Sequence, residues 1–177
     1  MLRFTVAATV AALLLAPLSV GAQTPPAPTP PPPAAPAAPA PAYGAGISAD
    51  AAKKALAAAE ALAAKNNWTV AIAIVDSSAK LVAFSKFDGT QHASVDIAIG
   101  KAVTANNFKR PTKALQDGIA QGGVNLRILG QPGVTPLEGG VPIVVDGKIV
   151  GAIGVSGVLS SQDAECAMAG AAAAAAK

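Results

Sequence analysis

Alternating hydrophobic and polar positions predict two β-hairpins in this chain. Residues 69–75 alternate and then fill with β-branched side chains, residues 76–80 offer a turn, and residues 81–87 alternate again. Residues 141–145 and 148–156 repeat the pattern around Asp146-Gly147, a dipeptide that suits a two-residue type I′ turn. Because a period of two is the spacing of a half-buried strand, each segment is predicted to be a hairpin.

Helical spacing describes the segments before and between the hairpins. A first helix is predicted from Ser48, a good N-cap residue, to about residue 66. A second is predicted over residues 94–108, where intervals of four, three and four residues place on one face Ile97, Lys101, Thr104 and Phe108. The second helix therefore carries a lysine in an otherwise apolar stripe.

Proline, glycine and small polar residues set the limits of the remaining elements. Pro111 ends the second helix, and Thr112 is predicted to cap a short third helix that stops at Gly122-Gly123. Residues 126–129 are predicted to form a short edge strand, and residues 131–140 a loop. The last helix is predicted over residues 160–176, with Ser160 or Ser161 as its cap.

The order of these elements is helix, hairpin, helix, helix, hairpin, helix. It predicts the α+β class, with a central antiparallel sheet flanked by helices. Three glycines in and just after the last strand, Gly151, Gly154 and Gly157, indicate close approach of another backbone, helix or ligand.

The N-terminal part of the chain has a different character. Residues 1–22 combine Arg3, an apolar run over residues 6–15 and Val20-Gly21-Ala22, which is the pattern of an export signal cleaved before Gln23. A retained signal anchor is the alternative. Residues 23–45 form a Pro/Ala-rich linker that favours extended polyproline II conformations, and residues 46–177 are left as a single domain. The mature protein is therefore expected to be periplasmic or secreted, with no membrane span after cleavage.

Charge and composition exclude some classes of function. The formal net charge is +3, or +2 once Arg3 is removed, and aromatic residues make up 3% of the chain. So small a charge, without a stacking platform, disfavours nucleic acid as a partner. With one cysteine no intramolecular disulfide can form. Cys166 and Met168, in the alanine-rich last helix, are predicted to be core residues.

Seven short motifs carry a resemblance to a known family. In chain order they are DGT at Asp88, SVDIA at Ser94, KAVTA at Lys101, FKRPT at Phe108, GGVP at Gly139, GAIGVSG at Gly151, and then QDAECAMAG. Together they resemble the GlcG/HbpS family of haem-associated proteins, also called the haem-degrading or DUF336 domain.

The resemblance implies a profilin-like α/β/α domain that is commonly homo-oligomeric. Its secreted members bind haem and are linked to haem or redox sensing, so the leading expectation is an exported protein that binds, senses or sequesters haem. Some secreted relatives carry two glutamates as a surface iron site, where this chain has Ser94 and Asp96. A peripheral iron site is therefore not expected here.

Candidate haem-binding residues follow from what haem requires: an apolar slot, cations for its propionates and usually an axial ligand. His92, the only histidine, is a candidate iron ligand, or alternatively an exposed residue before a helix. The resemblance points to Thr135, close to the Gly-Gly-x-Pro segment, as a second candidate ligand. Lys101 is predicted to pair with Asp96 or Glu138, or to place its ammonium against a propionate.

Two further residues complete the predicted cofactor site. Thr104 lies on the face of the second helix that carries Lys101, with hydrogen bonding to a helix carbonyl as its alternative role. Arg110 is placed to meet a propionate, with capping of the helix C-terminus as its alternative.

Two other classes of function stay open. In one, the domain is an enzyme, or the accessory of an enzyme, that acts on a small anionic metabolite such as a hydroxy acid, and Lys101 holds the anion. In the other, it is a tethered oligomeric scaffold whose alanine-rich helices pack closely. A true haem-degrading activity is not favoured, because coupled oxidation of exposed haem proceeds passively in the presence of oxygen and a reductant.

Overall fold

The computed structural model describes residues 39–176. The predicted signal peptide 1–22, residues 23–38 of the predicted linker and residue 177 lie outside the described residues. In chain order the elements are β1 (Ala42–Tyr43), α1 (Ala49–Lys65), β2 (Ala71–Asp76), β3 (Leu81–Lys86), α2 (Ser94–Phe108), α3 (Thr112–Gln121), a 3₁₀ helix (Gly123–Gly130), β4 (Gly140–Val145), β5 (Lys148–Ser156) and α4 (Ser160–Ala175).

Strand β5 is the centre of the sheet. It pairs antiparallel with β4 and with β2, and β3 pairs antiparallel with β2. β1 adds a short parallel pairing at Lys148 and Ile149, residues whose other edge is taken by β4. The predicted antiparallel sheet is confirmed, and β1, within the predicted linker, is an addition that the sequence pattern did not reveal.

The sheet separates two helical layers because successive side chains of a strand point to opposite faces. In β2, Ile72 and Ile74 belong to the core cluster shared with α1 and α4. Ala71, Ala73 and Val75 belong to the second cluster, which is shared with α2. The predicted α+β class and its α/β/α layering are therefore confirmed.

Glycines let the helices pack closely against the sheet and against each other. A Cβ at Gly154 would run into the backbone of α2 at Ala98 and Ala102. On the other layer, a Cβ at Gly170 would meet the backbone of α1 at Ala55, 2.7 Å away. The prediction that glycines in β5 mark a close approach is confirmed at Gly154, where the approaching element is a helix.

The ends of the elements confirm two predictions. Ser48 caps α1, since its Oγ accepts a hydrogen bond from the Ala51 N–H at 3.2 Å. Asp146 and Gly147 have φ angles of 48° and 74°, the positive values that a type I′ turn requires.

Three other predictions are wrong. Residues 126–129 lie in the 3₁₀ helix rather than in an edge strand. Pro111, not Thr112, is the N-cap residue of α3, and Thr112 is buried. Leu159 precedes α4 in the cap position, where its N–H donates to Gln162 Oε1 at 3.2 Å, so neither Ser160 nor Ser161 is the cap. Among the described helices none is long and apolar enough to cross a membrane.

Candidate functional site

A buried ion pair joins the two helical layers. The ammonium of Lys101, in α2, donates to Asp163 Oδ2 in α4 at 2.8 Å and to the carbonyl of Val155 in β5 at 2.9 Å. The two side chains are only 2% and 3% exposed. Pairing of Lys101 with a carboxylate was predicted, but Asp96 and Glu138 as partners were wrong. One lysine therefore ties α2, the central strand and α4 together.

Gly139 and Gly140 cover this ion pair. Gly139 has a φ of 122°, and a Cβ there would lie 2.8 Å from Lys101 Nζ and 2.9 Å from Asp163 Cβ. The Gly139 carbonyl accepts from the Val155 N–H at 2.9 Å. Thr112 holds the next residue, because its Oγ1 accepts from the Gly140 N–H at 2.9 Å. The Gly-Gly-x-Pro motif thus closes over the charged pair at a point where a side chain does not fit.

The electrostatics of the pair are dominated by burial. Burial lowers the pKa of Lys101 and raises the pKa of Asp163, while their mutual hydrogen bond and opposite charges act against both shifts. Asp163 Oδ1 also accepts from the Val158 N–H at 3.2 Å, so the carboxylate is used on both oxygens. In this arrangement the Lys101 ammonium makes two hydrogen bonds within the protein, and its role as a ligand-binding cation stays a prediction.

The predicted candidates do not form one cluster. The structure brings together Thr104 and Thr135: the Thr135 N–H donates to Thr104 Oγ1 at 2.8 Å, which fastens the 131–140 loop to α2. His92 is exposed just before α2 begins, and Arg110 is exposed just after it ends. The fifteen residues of α2 span about 22 Å at 1.5 Å per residue, so one small ligand cannot contact both within a single chain.

An apolar cleft of about 290 Å³ lies above the Gly139-Gly140 segment. We call it the methionine cleft, and it is lined by Pro111, Lys113, Glu138, Gly139, Gly140, Val141, Ala164 and Met168. Two glycines and an alanine form a floor with almost no side chains. Met168 is 54% exposed, so the prediction that it is a core residue is wrong, whereas Cys166 is buried as predicted.

A second cleft of about 330 Å³ lies between α3, the end of α2 and the 3₁₀ helix. We call it the arginine cleft, and it is lined by Phe108, Arg110, Ala114, Leu115, Gly118, Asn125, Arg127 and Ile128. Of the residues predicted to bind a cofactor, it contains only Arg110. α3 contributes to both clefts, since Lys113 lines the first and the following turn lines the second.

Sequence reasoning missed Asp163, Met168 and Arg127. Asp163 had a usable signal: a lysine in an apolar stripe needs a carboxylate, and Asp163 stands in the first turn of a helix that packs elsewhere in the core. Met168 was hidden by the alanine-rich surroundings that suggested a buried helix. Arg127 was hidden by the incorrect strand prediction.

Metal binding by protein side chains alone has little support in the described part of the chain. No group of three or more histidine, cysteine, aspartate or glutamate side chains there is placed to hold a metal ion.

Comparisons with known proteins agree with one another. Residues 47–172 match the family described as haem degrading protein, HbpS-like. Protein GlcG of Escherichia coli strain K12 is 41% identical over 110 residues, which are 62% of this chain and 81% of GlcG. The matched range 47–172 contains every residue that lines the two clefts.

Two solved structures are similar over most of the chain. A double mutant of Streptomyces reticuli HbpS is 34% identical with a TM-score of 0.66, and the match covers 80% of this chain and 97% of that one. A PduOC:heme complex is 27% identical with a TM-score of 0.67, over 72% of this chain and 94% of that one.

Proposed function

Because the chain belongs to the HbpS-like family of haem degrading proteins, we propose that it is an exported haem-binding protein whose haem lies in the methionine cleft. The observation that carries the proposal is the half-exposed thioether of Met168 beside an apolar floor. Methionine sulfur is one of the axial ligands that proteins supply to haem iron. The solved haem complex of a structural relative supports haem as the bound molecule.

The residues of the cleft fit the three needs of haem. Gly139, Gly140 and Ala164 leave a surface that a flat ring can approach closely, and Val141 and Pro111 add apolar contact. Lys113 supplies a cation at the same cleft for a propionate. It now pairs with Asp117 at 2.9 Å, with both side chains more than half exposed, so exchanging that partner for a propionate costs little.

Each part of the chain has a distinct task in this proposal. The haem, when bound, would supply the iron and its redox chemistry. Met168 holds and orients the iron, Lys113 anchors an acidic edge, and the buried Lys101–Asp163 pair fixes the glycine floor. The proposed role is to sense or sequester haem.

A haemin titration followed in the Soret band tests the binding and its site. We expect a saturable shift with the wild-type chain and a changed Soret spectrum with about tenfold weaker binding for Met168→Leu, which keeps the apolar volume but removes the sulfur. Leu159→Ala is the matched control, because Leu159 is 68% exposed near the start of the same helix and does not line the cleft.

The outcomes separate three possibilities. If the wild-type spectrum does not saturate, haem binding itself is refuted. If Met168→Leu leaves the spectrum unchanged, the proposed ligand is refuted. Parallel titrations of His92→Ala and Thr135→Ala test the two ligands predicted from the sequence, and loss of the Soret shift in either variant would move the site there.

Export is part of the same proposal and rests on the signal-like residues 1–22. Expression of the full chain with its N-terminal segment should place the protein outside the cytoplasm, with a mature N-terminus at Gln23 in the mass spectrum. Recovery of the protein only in the cytoplasm, with residues 1–22 intact, would contradict export without affecting the haem site. Homo-oligomerisation stays a prediction that light scattering of the same sample checks.

A further inference from the structure

The arginine cleft holds two cations that the fold does not neutralise. Among the described residues, neither Arg110 nor Arg127 takes part in an ion pair. Arg110 uses its Nε–H on the Phe108 carbonyl at 3.1 Å, which leaves the terminal N–H groups of its guanidinium available. Two guanidinium groups facing one concavity repel each other, so the cleft favours a bound anion.

The apolar residues that line the same cleft restrict which anion can bind there. Phe108, Leu115 and Ile128 line the same cleft and are half-buried, so they offer apolar contact beside the cations. The volume of about 330 Å³ lies at the lower end of small-molecule sites. Guanidinium groups bind carboxylates through two parallel hydrogen bonds.

We propose that the arginine cleft binds a small organic carboxylate with a short apolar chain, at a site separate from the methionine cleft. Arg110 and Arg127 hold the carboxylate, and Asn125 adds an amide at the same cleft. Phe108 and Ile128 contact the apolar chain. The cleft has no histidine, methionine, cysteine or tyrosine in its lining, so it offers none of the usual iron ligands to haem.

Calorimetric titration of the full chain with hexanoate tests this site, with neutral hexanamide as the matched ligand. We expect saturable binding of hexanoate, at least tenfold weaker binding of hexanamide because it lacks the charge, and weaker binding of inorganic phosphate because it lacks the apolar chain. Arg110→Gln and Arg127→Gln should each weaken hexanoate binding about tenfold or more. Lys53→Gln makes the same charge change at an exposed position of α1 and should leave binding unchanged.

Three kinds of result would overturn the proposal. In the first, the charge has no effect: hexanamide binds as tightly as hexanoate, or both arginine variants bind hexanoate like the wild type. In the second, phosphate binds as tightly as hexanoate, which removes the role of the apolar walls. In the third, saturating hexanoate competes with haemin in the Soret titration, which would mean that the arginines serve the haem propionates. Failure of haemin to bind at all would leave the hexanoate result standing, so the two proposals fail separately.

Discussion

Two lysine–aspartate pairs of almost equal length lie in very different surroundings. Lys101 and Asp163 approach to 2.8 Å with side chains 2% and 3% exposed. Lys113 and Asp117 approach to 2.9 Å with side chains 53% and 51% exposed. The first pair joins residues that are 62 positions apart in the sequence, and the second lies within one helix at the i, i+4 spacing.

The surroundings change the sign of the effect on the lysine. Burial lowers the pKa of Lys101 even though Asp163 is in contact with it. The hydrogen bond to Asp117 raises the pKa of Lys113, whose ammonium stays exposed to solvent. Bond length alone therefore does not give the energetic weight of an ion pair. The buried pair holds α2, β5 and α4 together, whereas the exposed pair leaves a cation that can change partners.

The largest expected effect comes from removing one member of the buried pair. Lys101→Met should lower the free energy of unfolding by about 3–5 kcal/mol, because Asp163 is left as a buried carboxylate with no counter-charge. Urea unfolding followed by circular dichroism measures this. A loss below about 1 kcal/mol would show that water reaches Asp163 in the folded protein and that the two pairs are less different than their exposure indicates.

Crowding above the buried pair should give the next largest effect. Gly139→Ala should lower the free energy of unfolding by about 2–4 kcal/mol. The new Cβ would meet the Lys101 ammonium, and the alanine would be held at an unfavourable positive φ. Gly147→Ala is the matched control: its φ is also positive, at 74°, but a Cβ there meets nothing within 4 Å. The control should cost only about 1–2 kcal/mol. Equal losses in the two variants would assign the effect to backbone strain alone.

A smaller effect, with a definite pH dependence, should come from neutralising both members. Lys101→Met/Asp163→Asn leaves no unpaired charge, so we expect it to lose about 1–3 kcal/mol less than the sum of the two single variants. Asparagine also keeps an acceptor for the Val158 N–H. Full additivity of the single losses would show that the pair is not coupled.

The pH dependence follows from the raised pKa of Asp163. Because the native state binds this proton before the unfolded state does, the associated stability is present below the ordinary value of 3.8 and is lost as pH rises through the folded pKa. The wild-type chain should therefore lose stability relative to the double variant over that window. The lowered pKa of Lys101 has the opposite effect, because stability rises with pH between the folded pKa and the ordinary value of 10.5. A stability difference that does not change as the pH rises above 3.8 would contradict the raised pKa.

The smallest effect on stability is expected at the exposed pair. Lys113→Ala should leave the free energy of unfolding almost unchanged, since water replaces the lost interaction. Under the proposed function the same variant should weaken haemin binding in the Soret titration, because a propionate loses its cation. A large loss of stability without a change in haemin affinity would reverse the roles assigned to the two pairs.

Much of the fold could be read from local pattern. The period of two around Asp146-Gly147 predicted β4, β5 and their turn, and Ser48 predicted the start of α1. Local pattern failed where a side chain or segment depends on residues that are far away in the sequence. Thr112 looked like a helix cap but hydrogen bonds to Gly140, 28 residues away. Residues 126–129 have strand-like composition but no neighbouring strand to pair with in the described sheet.

The candidate site was predictable only in part. The sequence required Lys101 to be paired, because an isolated charge in an apolar stripe is too costly. It did not identify Asp163, because any carboxylate in the chain could be the counter-charge of Lys101. Only the packing of the helices shows which carboxylate lies beside it. It placed Arg110 among the anion-binding candidates but gave no reason to join it to Arg127, which lines the same cleft.

The sequence by itself determined the class of the fold, its two hairpins, the need of Lys101 for a counter-charge and the resemblance to a haem-associated family. These depend on periodicities and motifs that lie within one element or its neighbours. Only the tertiary structure decided that Asp163 is the counter-charge, that Gly139 and Gly140 close over the pair, and that Met168 lies at the surface of an apolar cleft. The reason is that burial depends on how elements far apart in sequence pack together, and burial controls both the pKa values and the access of a ligand.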